Sequence, residues 1–267
     1  MDSAIIQLGL IDDEAIQLDA AALQLAALDH PGVDLGLYVN ELGAITERLV
    51  AVGGDAQTPV ERAAALAQVL AEEYGFVGDR SRYDDPDNAD LIRVMDRRRG
   101  LPVSLTILHV AAARRLGWRA DALNTPGHVL ARIGSDTAPV LTDPFNGGAL
   151  VGQEQLAQLL AAMLGRDTTP VAEHLVPMSN RAVLVRLLMN QATRAEAAGD
   201  AERARTLFER ITIVSPATAR AWWERARLEL AGGHVAAARA SLSAMLEMTR
   251  DPDLRMQISA TLDQLAH

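Results

Sequence analysis

The chain has 267 residues, 49% of them hydrophobic, which is enough apolar material for one large domain or two modest ones. Its formal net charge of −10 argues against nucleic acid as a general partner, because binding to phosphates needs a basic face. It contains neither cysteine nor lysine. Their absence excludes disulfides, thiol catalysis, thiolate metal sites, Schiff-base chemistry and a P-loop lysine.

The N-terminal residues have no basic stretch before their first apolar residues, so they do not resemble a signal peptide. No run reaches the roughly 18 apolar residues that a membrane-spanning helix needs. We therefore expect a cytoplasmic protein that does not interact with membranes.

The pattern of residues 12–74 predicts helices, in segments around 18–28, 35–52 and from Thr58 onward. The last of these has the clearest start signal in the chain. Thr58 offers a capping hydroxyl, a proline follows at the first helical position, and Glu61 lies three residues after the cap. A polar loop is predicted over 75–86.

A short helix capped by Asp87 or Asn88 is predicted to end near Gly100, and another spans 104–116. The period of the pattern then changes from 3.6 to 2, which predicts short strands. These strands are 119–124, 128–133 and 139–143. A helix over 153–164 follows. The predicted domains are a helical N-terminal region (1–57), a core (58–164), a linker (165–180) and a helical tail (181–267).

The tail contains a sequence repeat with a spacing of 34 residues. The matching positions are Gly199, Ala204 and Phe208 in the first copy and Gly233, Ala238 and Leu242 in the second. This period resembles the tetratricopeptide repeat, although any alanine-rich helical hairpin gives partial matches. Fewer than three repeats rarely stand alone, so we expect the tail to pack on the domain before it.

The last two predicted strands form a hairpin. If residues 134–137 are a four-residue loop, Ile133 faces Ala138 and His128 lies opposite Asp143. Directly opposed side chains share one face, so the carboxylate can orient the imidazole. A one-residue slip would separate the pair.

Ser104 is the candidate nucleophile, because it lies at a predicted helix start where developing negative charge is favoured. Its hydroxyl needs a general base, and His128 is the candidate. Each residue also has a structural interpretation: Ser104 as a helix cap, His128 as a packed strand residue, and Asp143 as the start of a turn. Sequence motifs for zinc, for a serine nucleophile elbow and for a phosphate loop are absent, so we expect no metal and no cofactor.

Several separate stretches are similar to the bacterial SirB family, in order and in spacing. They are residues 74–78, Tyr83, residues 86–88, 94–105, 126–130 and 143–148. The resemblance covers about residues 60–265, including the helical tail.

That family resembles the transglutaminase-like, papain-related superfamily. The resemblance implies an α+β fold, with a helical N-terminal region and a small antiparallel sheet packed on a central helix, followed by an all-α tail. It also implies a catalytic triad in which a cysteine at a helix start is the nucleophile. By position His128 and Asp143 match the other two members, and Ser104 stands where the cysteine would be.

Two functions remain open. In the first, the core is a degenerate transglutaminase-like domain that binds a peptide or protein without catalysis, while the repeats dock a partner. In the second, Ser104, His128 and Asp143 form a serine-dependent hydrolase or acyltransferase acting on amide or ester bonds. A further interpretation makes the His–Asp pair purely structural.

Overall fold

The computed structural model describes residues 3–164 and 175–265. Its mixed α+β architecture, with small sheets and a helical C-terminal part, confirms the predicted fold class. The chain divides into two compact units, Asp13–Val183 and Met1–Asp12 together with Leu184–His267. Among the described residues, no helix is long and apolar enough to cross a membrane.

The α-helices are α1 (Ser3–Leu10), α2 (Leu18–Ala27), α3 (Leu35–Gly53), α4 (Pro59–Leu66), α5 (Leu91–Arg97), α6 (Pro102–Arg115), α7 (Gln153–Leu164), α8 (Asn180–Ala197), α9 (Ala201–Val214), α10 (Ala219–Ala231), α11 (Val235–Met248) and α12 (Pro252–Gln264). The strands are β1 (Val77–Gly78), β2 (Arg99–Gly100), β3 (Ala120–Leu123), β4 (Leu130–Ile133), β5 (Val140–Asp143) and β6 (Ala149–Leu150). Short 3₁₀ turns cover Asp13–Ala15, Pro86–Ala89 and Pro144–Asn146.

The predicted start of α4 is confirmed by a complete capping box. The Glu61 N–H donates to the Thr58 hydroxyl at 3.2 Å, and the Thr58 N–H donates to the Glu61 carboxylate at 2.9 Å. Each partner satisfies an N–H that the helix itself cannot bond. After Leu66 the helix continues as a π-helical segment, Ala67–Glu73.

Helix α6 is the central helix of the larger unit, and it is buried from Pro102 to Ala113. It begins two residues before the predicted start. Leu101 is the N-cap and Pro102 is the first helical residue, a position where proline loses no hydrogen bond and its fixed φ suits the helix. Gly117, with φ +71°, lies just beyond its end, as predicted.

The main sheet is antiparallel with the order β3-β4-β5-β6, and leucines of α7 pack against it. The three predicted strands are present but shorter than expected. Strand β6 and the parallel pair β1–β2 were not predicted, because strands of two residues are too short to show a period.

The register of the β4–β5 hairpin differs from the prediction by two residues. Ile133 pairs with Val140 rather than with Ala138, and the loop spans residues 134–139. Pro139 lies in this longer loop, consistent with its lack of an N–H for the ladder. A shift of two residues keeps each side chain on its face. Separately, β4 begins at Leu130, so His128 precedes the strand rather than lying within it.

Part of the predicted linker is an ordered segment of the larger unit, while residues 165–174 lie outside the described residues. The Met178 N–H donates to the Ala122 carbonyl at 2.8 Å, and the Asn124 N–H donates to the Val176 carbonyl at 3.3 Å. This segment therefore covers the outer edge of β3. The unit boundaries, at residues 12 and 183, differ from the predicted domain boundaries at 57, 164 and 180.

The smaller unit is helical and repetitive. Helices α9 and α11 both have 14 residues, and they start at Ala201 and Val235, 34 residues apart. Gly199 and Gly233 precede them with φ angles of +80° and +77°. The unit also contains α1, where Gly9 lies against the backbone of α9; this packing was not anticipated.

Candidate functional site

His128 and Asp143 form a hydrogen-bonded pair in the larger unit. His128 Nε2 lies 2.9 Å from Asp143 Oδ1, and the side chains are 13% and 4% exposed. The last position of β5 brings the carboxylate to the segment preceding β4. The two residues are therefore in contact despite the shifted register.

The Asp143 carboxylate is held by the turn that follows it. Its Oδ1 accepts hydrogen bonds from the N–H groups of Phe145 and Asn146 at 3.0 and 3.3 Å, and its Oδ2 accepts one from the Asn146 amide at 2.5 Å. Burial by itself raises the pKa of Asp143, but the hydrogen bonds from His128 and Asn146 and the charge of His128 outweigh it, so the pKa lies below its ordinary value. The carboxylate is thus anionic at neutral pH and oriented toward the imidazole.

Phe145 forms an aromatic wall beside His128. Its ring meets the imidazole edge-on, with centroids 6.0 Å apart, and meets Tyr83 in a similar way at 5.8 Å. A Cβ atom at Gly78 would lie 2.5 Å from carbons of the Phe145 ring. Glycine at this position in β1 therefore permits the ring to lie where it does.

Helix α6 approaches the pair with its N-terminal end. Near its C-terminal end, Arg114 Nε donates to the Ala120 carbonyl at 2.8 Å, and Ala120 pairs with Ile133. Two turns earlier, the Thr106 hydroxyl donates to the Val129 carbonyl at 3.2 Å. The helix thus runs parallel to β4, and its first turn lies toward the segment that contains His128.

Ser104, the expected nucleophile, is on another side of this helix. It is fully buried, and its hydroxyl donates to the Asn88 carbonyl at 2.8 Å. At about 100° per residue, Ser104 lies about 160° around the helix from Thr106. No hydrogen bond joins Ser104 to His128 among the described residues. The expected contact is not formed, because the helix starts at Pro102 and places Ser104 at its third position rather than at its cap.

His109 is a site residue that the sequence analysis missed. It is fully buried in α6, and in the described part of the chain its Nε2 has no hydrogen-bond partner. Burial lowers its pKa to about 4, against the opposing charge of Asp143. A Cβ atom at Gly148 would lie 3.1 Å from His109 Cε1. The available signal was the spacing of Thr106 and His109, which places two polar residues on one face of the helix.

A cavity of about 320 Å³ lies between the end of the sheet and α7. Asp143 and Asn146 contribute to its lining, together with Leu150 of β6 and the amide side chains of Gln155 and Gln158 in α7. The cavity thus combines apolar surface with hydrogen-bonding groups next to the anionic carboxylate.

Strand β6 is the edge strand beside this cavity. The Val151 N–H donates to the Leu141 carbonyl at 2.8 Å, so the next opposed pair, Thr142 and Leu150, is a non-hydrogen-bonded pair. The Leu150 N–H and C=O therefore point away from β5. Over the described residues, no further strand pairs with this edge, and the Leu150 side chain is 52% exposed.

A family model of the transglutaminase-like superfamily matches residues 37–189, more than half of the chain. The chain belongs to this superfamily. A UPF0162 protein of Xylella fastidiosa (strain 9a5c) is 32% identical to this transglutaminase-like chain over 244 residues, which cover 90% of this chain and 87% of that protein. A UPF0162 protein of Pseudomonas aeruginosa is 29% identical over 266 residues, covering 100% of this chain and 97% of that protein.

A shorter similarity links this transglutaminase-like chain to human F-box only protein 21. The two are 35% identical over 68 residues, which make up 26% of this chain and 11% of that protein.

Of the three predicted site residues, the structure brings His128 and Asp143 together and leaves Ser104 apart from them. In the described residues, no group of three metal-ligating side chains is placed to hold a metal ion.

Proposed function

We propose that this transglutaminase-like protein binds an extended peptide segment of a partner protein and does not react with it covalently. The observation that carries the proposal is the position of Ser104. Its hydroxyl is buried and bonded to the Asn88 carbonyl, away from the His128–Asp143 pair. A serine without a hydrogen-bonded base is a poor nucleophile at neutral pH.

The groove beside β6 has the features of a site for an added strand. The outward N–H and C=O of Leu150 offer one donor and one acceptor to the main chain of a peptide. The neighbouring cavity of about 320 Å³ has room for a peptide side chain. Phe145, which precedes Asn146 of the cavity lining in the chain, adds an aromatic surface in contact with Tyr83.

The alternative function is a serine-dependent hydrolase or acyltransferase that uses Ser104, His128 and Asp143. The observation that favours it is the 2.9 Å contact between His128 and Asp143, which matches the base and orienting acid of a triad. This function requires Ser104 to leave the Asn88 carbonyl and reach His128.

The helical unit supports a second contact with protein. The 34-residue repetition of α9 and α11 agrees with tetratricopeptide-like repeats, which are stacked helix pairs that present extended binding surfaces. We infer that this unit docks a protein partner.

To test the proposal, peptides that bind the whole protein are first selected from a phage-displayed random library. Their affinity is then measured by fluorescence anisotropy for Leu150→Pro and for the matched control Leu150→Ala. Leu150→Pro removes the outward N–H, and proline is tolerated on edge strands, so we expect affinity to fall by about tenfold. Leu150→Ala keeps the main-chain groups and should retain most of the affinity.

Equal affinity of wild type and Leu150→Pro would contradict strand addition at this edge.

The catalytic alternative is tested with a serine-reactive fluorophosphonate on wild type and Ser104→Ala. We expect neither to be labelled. Labelling that disappears in Ser104→Ala would establish the hydrolase instead.

A further inference from the structure

The first residue of α6 lies on the side of the helix that is turned toward the His–Asp pair. Pro102 precedes Thr106 by four residues, so it lies one turn below Thr106 on the same face. At about 100° per residue, Pro102 lies within about 40° of both Thr106 and His109. Thr106 contacts the Val129 carbonyl, and His109 lies within electrostatic reach of Asp143.

The opposite side of the same turn is held by another segment. The Asn88 carbonyl accepts hydrogen bonds from both the Leu101 N–H, at 2.9 Å, and the Ser104 hydroxyl, at 2.8 Å. These two bonds fix the rotation of the first turn about the helix axis. Ser104 is thereby directed toward Pro86–Ala89, and Pro102 toward the strands.

We propose that Pro102, and not Ser104, occupies the position from which a nucleophile would attack at this site. Proline has no ionisable group, and it also lacks the N–H that other residues offer at a helix start for stabilising an oxyanion. The site therefore keeps a base and an orienting carboxylate while lacking a nucleophile. This inference deepens, and rests on, the proposed non-covalent function.

Single-cysteine variants test the position directly, because the chain has no cysteine of its own. Pro102→Cys and the matched control Ser104→Cys are each made with and without His128→Ala. Their alkylation by iodoacetamide is followed at about pH 6, well below the free thiol pKa of about 8.5. In this reaction the thiolate sulfur bonds to the methylene carbon, iodide leaves, and the thiol proton passes to His128.

We expect Pro102→Cys to be alkylated at least about tenfold faster than Ser104→Cys, and to lose this advantage with His128→Ala. Fast, His128-dependent alkylation of Ser104→Cys would overturn the proposal. So would slow alkylation of a folded Pro102→Cys protein that does not respond to His128→Ala. Circular dichroism melting of each variant establishes that it is folded.

If Pro102→Cys fails to fold, Pro102→Ser provides the same test, since serine is well accepted at helix starts. Wild type, which retains Ser104, is its control. Fluorophosphonate labelling that requires both Pro102→Ser and His128 supports the proposal, and a folded but unlabelled Pro102→Ser protein overturns it. Neither assay contains a peptide, so failure here is distinct from failure of peptide binding.

Discussion

His109 places an imidazole inside the core of the larger unit, where its charged form is poorly solvated. Burial lowers its pKa from 6.5 to about 4, although the nearby Asp143 carboxylate favours the charged form. The residue is therefore neutral at physiological pH. Its Nε2 lacks a hydrogen-bond partner within the described residues, so protonation would add an uncompensated charge to a buried position.

This burial makes the stability of the fold sensitive to acid. Between pH 6.5 and pH 4 the unfolded chain binds a proton at His109 that the folded chain does not, so the free energy of unfolding falls as the pH falls. The loss amounts to about 3 kcal/mol at pH 4, at 1.36 kcal/mol for each pKa unit. We expect His109→Gln, which stays neutral, to be less stable at neutral pH but to lose less stability over this range.

Urea unfolding of wild type and His109→Gln at several pH values measures the difference. Titration of Asp143 does not account for a loss of stability between pH 6.5 and 4. Its lowered pKa contributes stability that is present above its unfolded pKa of 3.8 and is lost as the pH falls through the still lower folded pKa. Parallel stability curves for the two proteins between pH 6.5 and 4 would contradict the assignment.

Among the elements, α9 and α11 show what structural roles the matching residues of the repeat have. Gly199 and Gly233 precede the two helices with φ angles of +80° and +77°, and nothing lies within 4 Å of a Cβ atom added to either. Phe208 and Leu242, at matching positions inside the helices, are both buried. The matched glycines therefore serve the turn conformation, and the matched apolar residues serve the core.

Because the two glycines have equivalent surroundings, we expect Gly199→Ala and Gly233→Ala to destabilise the protein equally, by about 1 kcal/mol each. The control is Gly43→Ala in α3, which also has free space around the added Cβ but has a helical backbone. That substitution should stabilise by up to about 1 kcal/mol. Chemical denaturation measures all three, and a stabilising effect at Gly199 or Gly233 would refute the turn argument.

The elements also separate what local sequence signals can predict from what they cannot. The capping box at Thr58 and the helix Gln153–Leu164 were predicted correctly, because capping residues and apolar periodicity act within a few residues. The predicted start of α6 is two residues late, because serine is a preferred capping residue. The actual cap, Leu101, has no side-chain hydrogen bond, and its N–H is bonded to Asn88 instead.

At the scale of the whole molecule, α1 belongs to the same compact unit as the C-terminal helices. Gly9 lies against the backbone of Ile213 in α9, an approach that only a residue without a side chain allows. Ile5 and Leu8 of α1 are buried. The helical tail is therefore completed by a segment from the other end of the chain.

Deletion of residues 2–12 should expose the face of α9 that α1 covers. We expect amide hydrogen exchange in α9 to become faster by about tenfold or more, because local opening then costs less free energy. Helix α6, in the larger unit, is the internal control and should keep its protection. Unchanged exchange in α9 would show that α1 contributes little to the smaller unit. The predicted dependence of the tail on the domain before it stays a prediction.

The sequence by itself determined the classes of chemistry that this protein lacks and the helices with strong capping signals. These follow from residue types and from neighbours a few positions apart, while the α+β class is implied by the resemblance to a known family. The tertiary structure decided the hairpin register, the pairing of residues 176–178 with β3, the packing of α1 on α9, and the side of α6 on which Ser104 lies. Each of these depends on contacts between segments far apart in the chain. For Ser104, a carbonyl 16 residues away determines which way the first turn of the central helix faces.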